Sequence, residues 1–317
     1  EIPGALNDQK LTPRIKETAQ ALWLIYLTLT LACAALYYLA GMSAFDAISH
    51  SLSTVSIGGF STHDESIGFF NSLSIELICI VFMLLSAFSY ALHYFAIYKR
   101  KPLKYFQDAE LRFFVSILLL IFILSIIFCY LLGFDGASIR QILFQSVSIV
   151  TTTGFVSTDY SSWPTVITFL FLVGAFIGAC SGSVGGGIKS WRVLIMINHA
   201  KINIMRLVHP NAVVSLKIGS KAVDDKVAES VWGFFSIYII SFMLLLLSLL
   251  ATGMDFESAF SAIGACLNNL GPGLGSVSET YSSVPDFGKG VLAFAMILGR
   301  LEIFTLLVLF TTVFWDK

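Results

Sequence analysis

Long apolar runs alternate with shorter mixed runs along the chain. Five runs have about the 20 residues that a helix needs to cross a bilayer, at 22–40, 73–97, 113–132, 231–251 and 291–314. A sixth, at 166–179, stops at glycines and resumes only at 191–196, which is more typical of a half-span. The pattern predicts an all-α integral membrane protein.

Three mixed runs end in glycine. The long runs at 22–40, 113–132 and 231–251 are followed by about a dozen moderately apolar residues, enough for a helix that reaches halfway through a bilayer. These half-helices lead into SIGGFST (56–62), TTTGFVST (151–158) and NNLGPGLG (268–275). Another apolar run then follows, so the order helix, half-helix, glycine break, helix occurs three times.

The register of the repeat is clear for two copies and less so for the third. The first two align without a gap, with Gly59 on Gly154. The third aligns by motif, with Asn268 opposite Thr151, but gap-free counting leaves it one residue out of register. We expect pore units at 21–105, 106–210 and 211–317, the middle one with a broken second helix, after a cytoplasmic linker at 1–20. Four loops surround the ion in potassium channels, so we also expect a fourth unit upstream.

The charges orient the chain in the membrane. Hydrophobic residues make up 56% and charged residues 12%, against about 25% charged in soluble domains. Sixteen of the 19 lysines and arginines lie at 1–20, 99–112, 189–226 and 317, in the segments that join the units. By the positive-inside rule these segments are cytoplasmic and the half-helices enter from outside. A net charge of −1 gives no indication of nucleic-acid binding.

The glycine breaks predict an ion filter. Irregular backbone at membrane depth is tolerated where it is buried or lines water. The C-terminal end of a half-helix is partly negative, and carbonyls there can replace the hydration shell of a cation. Glycine allows consecutive carbonyls to turn towards one axis. Glycines that simply end helices would explain one such site, whereas three at matching positions favour a filter.

The segment GACSGSVGGGIKS (178–190) predicts a gate on the cytoplasmic side of the filter. Five glycines and three serines, at about 1 kcal/mol for each glycine, disfavour a helix. The alternative is a kinked helix that packs closely at its glycines. Lys189 is either a cytoplasmic anchor or part of the gate.

Arg300 lies inside an apolar run, where a buried cation costs a few kcal/mol unless it faces water or a partner. We expect it to face the pore below the filter and to bond carbonyls of 178–187. The alternative is an arginine that bridges two helices away from the pore.

The motifs KLTPRIKETAQ, TVSIGGFST, TTTGFVSTDY, SGSVGGGIKSWR, NNLGPGLG and GRLE together resemble the Trk/Ktr/HKT superfamily of potassium transporters, most closely the pore subunits of bacterial Trk systems. The resemblance covers essentially the whole chain. It implies four helix–pore-helix–helix units around a pseudo-fourfold pore, with the second to fourth in this chain. It also implies a multi-pass protein among the lipids of the bacterial inner membrane, a homodimer, and a cytoplasmic nucleotide-binding regulatory protein of the TrkA type.

The resemblance assigns residues to the filter and the gate. Potassium would bind at the filter, formed by Ile57, Gly58, Gly59, Thr152, Thr153, Gly154, Asn269, Leu270 and Gly271. The gate would comprise Gly182, Gly185, Gly186, Gly187, Lys189 and Arg300. No organic cofactor is expected.

The expected function is potassium uptake through a gated, cation-selective pore. The alternative is a symporter that couples potassium to sodium or protons. An intramembrane enzyme would need paired carboxylates or a nucleophile–base pair, and the apolar runs offer only isolated Glu76, His93, Arg300 and Glu302. The filter segments differ from one another and lack the TVGYG sequence of potassium channels. We therefore expect weaker selectivity for potassium over sodium, and comparable passage of rubidium.

Overall fold

The computed structural model describes residues 15–212, 214–219, 221–278, 280–309 and 311–315. Most of the expected linker at 1–20 therefore lies outside the described residues. Within them the protein is mainly helical, with one short antiparallel hairpin of β1 (Lys217–Ile218) and β2 (Lys221–Ala222). Three described helices are long and apolar enough to cross a membrane, or four if one bent pair counts as a span. The expectation of an all-α membrane protein is confirmed.

The first unit contains helices α1 (Ile15–Leu39), α2 (Ala44–Val55), α3 (Leu73–Ala87) and α4 (Tyr90–Ile97). The prediction of one continuous helix over 73–97 is wrong, because α3 and α4 meet at a bend of 97°. The carbonyl of Ala87 accepts a hydrogen bond from Cys180 N–H, and Tyr90 N–H donates to the Gly182 carbonyl. The helix breaks here because a distant segment supplies partners that the next helical turn would have used.

Helix α5 (Lys104–Gln107) lies across the expected boundary between the first and second units, and the second unit contains α6 (Ala109–Leu131), α7 (Ile139–Val150), α8 (Thr165–Ile177) and α9 (Ser190–Val208). Asp108 caps α6 by accepting the Leu111 N–H at 2.8 Å. Ser138 and Gln141 form a capping box at the start of α7, which satisfies two backbone donors at that end. Residues 178–189 between α8 and α9 form an irregular segment, here called the gate loop.

The third unit contains α10 (Asp225–Leu250), α11 (Phe256–Leu267), α12 (Asp286–Arg300), α13 (Ile303–Val308) and α14 (Thr312–Trp315). The prediction of one helix over 291–314 is wrong, because α12 ends at Arg300 and α13 starts at Ile303. Glu302 between them has a φ of 58°, which a continuous helix does not allow. The Asn269 side chain donates to the Met296 carbonyl at 3.0 Å, so a neighbouring segment also takes part in this helix end.

The half-helices α2, α7 and α11 each lie between the helices that precede and follow them in their own units. Each has 12 residues, or about 18 Å at 1.5 Å per residue, against about 30 Å of hydrocarbon. Each packs on the helix before it and on the helix after it, and α7 also contacts α3 while α11 contacts α8. The units are therefore packed together, with the three half-helices towards the inside.

A smaller cluster lies on the side of the basic segments. Trp191 and Ile195 on α9 pack with Leu216 and Ile218 of the hairpin and with Val231 on α10. The hairpin thus ties the far end of the second unit to the beginning of the third.

Candidate functional site

The half-helices α2, α7 and α11 all end in the same backbone turn. Ile57, Thr152 and Asn269 have φ angles of 53°, 62° and 54°. Two residues later, Gly59, Gly154 and Gly271 have φ angles of 69°, 84° and 102°.

The hydrogen bonds of the three turns also correspond. The N–H groups of Gly58, Thr153 and Leu270 donate to the carbonyls five residues earlier, each at 2.8 Å. This is the bond of a Schellman helix end. The backbone therefore pairs Asn269 with Thr152 and Ile57, as the motif alignment does and gap-free counting does not.

The first turn contacts the second, and the second contacts the third. A Cβ atom added to Gly59 would lie 2.0 Å from the carbonyl oxygen of Thr153. One added to Gly154 would lie 2.1 Å from the carbonyl oxygen of Leu270. These glycines are required for space as well as for their positive φ, because each turn lies directly against the main chain of the next.

Shared cavities lie on two sides of the turns. A cavity of about 910 Å³ on the side of the half-helix entrances is lined by Gly59, Gly154 and Gly271 together with Asp64 and Asp159. A second, of about 660 Å³, is lined by all three glycines and by Arg300. The glycines therefore face common space, and the acidic side chains on the entrance side attract cations.

Buried side chains hold the segments that follow the turns. Ser148 Oγ donates to the Phe155 carbonyl at 2.7 Å, and Gln145 Nε2 donates to the Thr158 carbonyl at 3.0 Å. In the third unit, Ser261 Oγ accepts the Leu274 N–H at 2.8 Å. In the first, His50 Nε2 lies 2.9 Å from Ser61 Oγ. Each half-helix thus fixes its own exit segment.

The gate loop lies beneath the turns, on the side of the basic segments. A Cβ on Gly186 would be 2.0 Å from the Asn268 carbonyl oxygen, and one on Gly185 would be 2.9 Å from that of Thr151. Gly186 N–H also donates to Thr152 Oγ1 at 2.6 Å. The loop therefore touches the C-terminal ends of both α7 and α11.

The other predicted gate residues belong to or contact this loop. Gly182 and Gly187 have φ angles of 72° and 81°. The Lys189 ammonium bonds the Gly185 carbonyl, which makes it part of the loop's own hydrogen bonding. Arg300 Nη1 donates to the Val184 carbonyl at 3.2 Å. All six predicted gate residues line a cavity of about 220 Å³ under the turns.

Sequence reasoning missed an ionic network around the loop. The Glu110 carboxylate, at the start of α6, accepts the Ser181 N–H. Arg192 on α9 bonds the Glu302 carboxylate at 2.7 Å and stacks on the Phe234 ring with its guanidinium 4.1 Å from the centroid. These partners are distant in sequence, so spacing gave no signal beyond the presence of Glu302 within the apolar run at 291–314.

Glu76 and Arg140 form a second missed pair. Arg140 donates through Nε and Nη2 to the two carboxylate oxygens of Glu76, both at 2.6 Å. The carboxylate is buried and the arginine is partly exposed. This bidentate pair fixes the start of α7 to α3, and so positions one half-helix.

This chain is similar to known proteins over nearly its whole length. The profile of the TrkH family, described as cation transport proteins, matches residues 1–316. The Trk system potassium uptake protein TrkH of Halomonas elongata is 52% identical over all of this chain and 66% of its own length. Its counterpart in Escherichia coli K12 is 46% identical, with the same coverage of both chains.

A solved structure gives the same relationship. The crystal structure of the potassium transporter TrkH from Vibrio parahaemolyticus has a TM-score of 0.91 and 49% identity, covering 96% of this chain and 66% of that one. The chain thus spans about two thirds of the length of the relatives that it matches. With the family profile matched over nearly its whole length, this chain belongs to the TrkH family of cation transport proteins.

Proposed function

We propose that the protein takes up potassium through a gated, cation-selective pore. The observation that carries the proposal is the backbone turn that ends three half-helices and places Gly59, Gly154 and Gly271 on shared cavities. The filter would be the main chain at 57–59, 152–154 and 269–271. The relatives named as Trk system potassium uptake proteins support potassium as the transported ion.

The electrostatics of these segments favour a cation. The C-terminal end of each half-helix carries roughly half a negative charge, and three such ends meet at the turns. Carbonyl oxygens there can replace the water around a dehydrated ion. Because the three turns differ in sequence, we expect weaker discrimination between potassium and sodium than in channels with identical loops, and similar rates for rubidium.

The gate loop would close the pore below the filter. Arg300 places a positive charge beside the Val184 carbonyl on a cavity that the turns share, and a fixed cation there opposes the passage of another cation. Lys189 holds the loop in its present shape through the Gly185 carbonyl. Opening would require the loop to leave the ends of α7 and α11.

We propose that a partner protein controls the gate. A cytoplasmic nucleotide-binding protein of the TrkA type would move the gate, and two copies of the membrane protein would form a homodimer. Both proposals rest on the family resemblance. They agree with the name of the relatives as components of a Trk system, and with the cationic segments on the side of the gate loop.

The test is rubidium flux into proteoliposomes that contain the purified protein, with potassium and sodium as competing ions. We expect uptake driven by the membrane potential, blocked strongly by potassium and weakly by sodium. A fixed dependence of rubidium entry on sodium or protons would favour the symporter instead. Equal competition by potassium and lithium would contradict the proposed filter.

A further inference from the structure

The residue that starts each filter turn is unusual for its position. A helix that ends in this way normally has glycine in the left-handed conformation. The protein follows that rule at the ends of α1 and α6, where Gly41 and Gly133 have φ angles of 103° and 61°. The end of α6 also has the same hydrogen bond as the filter turns, because Phe134 N–H donates to the carbonyl of Cys129, five residues earlier, at 2.9 Å.

The filter turns depart from the rule at all three copies. Ile57, Thr152 and Asn269 take the left-handed conformation in place of glycine, and two of them are β-branched, which makes this conformation a genuine outlier. Such strain persists only where the surroundings impose it. The contacts of these three side chains therefore show which surroundings hold the strained conformation.

Each of the three side chains lies close to a segment outside its own turn. The Asn269 amide donates to the Met296 carbonyl on α12. Ile57 Cδ1 lies 3.6 Å from the point where a Cβ of Gly185 would be. Thr152 makes the most specific contact, because its Oγ1 accepts the Gly186 N–H at 2.6 Å and the threonine is fully buried.

The place of Gly186 makes this bond difficult to replace. A Cβ on Gly186 would lie 2.0 Å from the Asn268 carbonyl oxygen, so the loop backbone is pressed between the ends of α7 and α11. A buried N–H that loses its acceptor is costly to leave unpaired. The loop therefore cannot withdraw from this place without first breaking its bond to Thr152.

We propose that the Thr152 hydroxyl is the latch that holds the gate loop closed and couples it to the filter. The inference rests on the proposed function, in which the loop is the gate and Thr152 belongs to the filter. When the loop leaves, the turn at 151–154 loses the contact that holds Thr152 in its strained conformation. Opening of the gate would therefore be accompanied by a change in the filter turn of the second unit.

Two substitutions of Thr152 distinguish the effect of losing the hydroxyl from the effect of losing the backbone strain. Thr152→Gly removes the acceptor and suits the positive φ, so the helix end is retained. Thr152→Ser keeps an acceptor at the same place. The matched control is Thr153→Val, which removes a buried hydroxyl of the same turn that bonds Thr151 Oγ1 rather than the loop.

Hydrogen–deuterium exchange of the purified protein measures directly how strongly the Gly186 N–H is protected by its bond to Thr152. We expect peptides that contain Gly186 to exchange at least about fivefold faster in Thr152→Gly, and at the original rate in Thr152→Ser and Thr153→Val. Peptides from α6 serve as the internal reference for a fold that is unchanged. If Thr152→Gly is not recovered in monodisperse form, Thr152→Ala gives the same test.

Rubidium flux through the same variants in proteoliposomes supplies the second readout. We expect Thr152→Gly to conduct about fivefold faster than Thr152→Ser, and to discriminate less between potassium and sodium than Thr152→Ser does. Loop exchange in Thr152→Gly at the original rate would overturn the latch and leave the pore proposal standing. Absence of flux from every protein, the original included, would instead overturn the pore, and exchange would still decide whether Thr152 holds the loop.

Discussion

Alanine at Gly59 and Gly154 of the proposed filter tests whether the close approach of neighbouring turns is required for conduction. In Gly154→Ala, the new Cβ would lie 2.1 Å from the Leu270 carbonyl oxygen. Ordinary contact begins at about 3.4 Å, so one main chain must move by about 1.3 Å. The left-handed conformation adds about 1–2 kcal/mol of strain. Gly59→Ala has the same geometry against Thr153, at 2.0 Å.

A shift of this size displaces a proposed ligand carbonyl by about half an ion–oxygen distance. Losing one such ligand at a cost of about 1.4 kcal/mol reduces occupancy tenfold. We therefore expect rubidium flux in Gly59→Ala and Gly154→Ala to fall by at least about tenfold, with weaker competition by potassium.

The matched control is Gly133→Ala, at the end of α6. Its φ is 61° and nothing lies within 4 Å of the new Cβ, so it carries the strain without the displacement. We expect a loss of about 1–2 kcal/mol in stability and unchanged flux, measured by thermal unfolding and rubidium uptake on the same preparations. Normal flux and ion competition in correctly folded Gly154→Ala would refute the reasoning.

Three further predictions concern the gate and the supports of the half-helices. Arg300→Ala should raise rubidium flux roughly tenfold, as expected when about 1.4 kcal/mol is removed from a barrier, whereas Arg300→Lys should retain most of the block; lower flux through intact Arg300→Ala would count against a pore role. Glu76→Gln should lower stability by about 1–2 kcal/mol, since a charged hydrogen bond to Arg140 is lost, and the thermal midpoint should fall while Lys289→Gln, whose pair with Asp286 is exposed, leaves it unchanged. Asp255 caps α11 by accepting the Ser258 N–H at 2.9 Å, and this bond lowers the pKa of the carboxyl. Its contribution is therefore present above the ordinary pKa of an aspartate and is lost as the pH falls through the lowered value, so Asp255→Ala should cost about 1 kcal/mol at pH 7 and flatten the acid side of the stability profile; an unaltered profile would contradict the assignment.

The membrane architecture could be predicted because it depends on local pattern. Apolar runs of sufficient length gave α1, α6 and α10, and mixed runs that end in glycine gave the half-helices. The family match and these helices confirm a multi-pass protein of the inner membrane. The positions of Gly59 and Gly154 were also readable, since few other residues allow such close backbone contact.

Two helix breaks could not be predicted because their causes are tertiary. No glycine or proline marks residues 88–89, where the gate loop bonds Ala87 and Tyr90. Nor does glycine or proline occupy 301–302, where Glu302 takes a positive φ and its carboxylate reaches Arg192. A hydropathy pattern predicts one continuous helix in such segments. The helix is broken by contacts with residues of the same chain that are far away in sequence, and a local pattern does not contain them.

The left-handed conformation of the residues that follow the half-helices could not be predicted for a different reason. β-Branched residues disfavour the left-handed conformation, so propensity argues against Ile57 and Thr152 in this role. The partner of Thr152 is the Gly186 N–H of the gate loop, which lies 34 residues away in sequence. The pair of Glu76 and Arg140 was likewise invisible, because 64 residues separate its members.

The central claim is that main-chain oxygens of 57–59, 152–154 and 269–271 bind the ion together. Anomalous diffraction from crystals of the protein grown with rubidium would test it most directly. We predict a rubidium peak on the shared axis, within coordination distance of carbonyl oxygens from all three turns and displaced by excess potassium. Rubidium peaks that lie only away from these turns, in crystals where the turns are well ordered, would contradict the account.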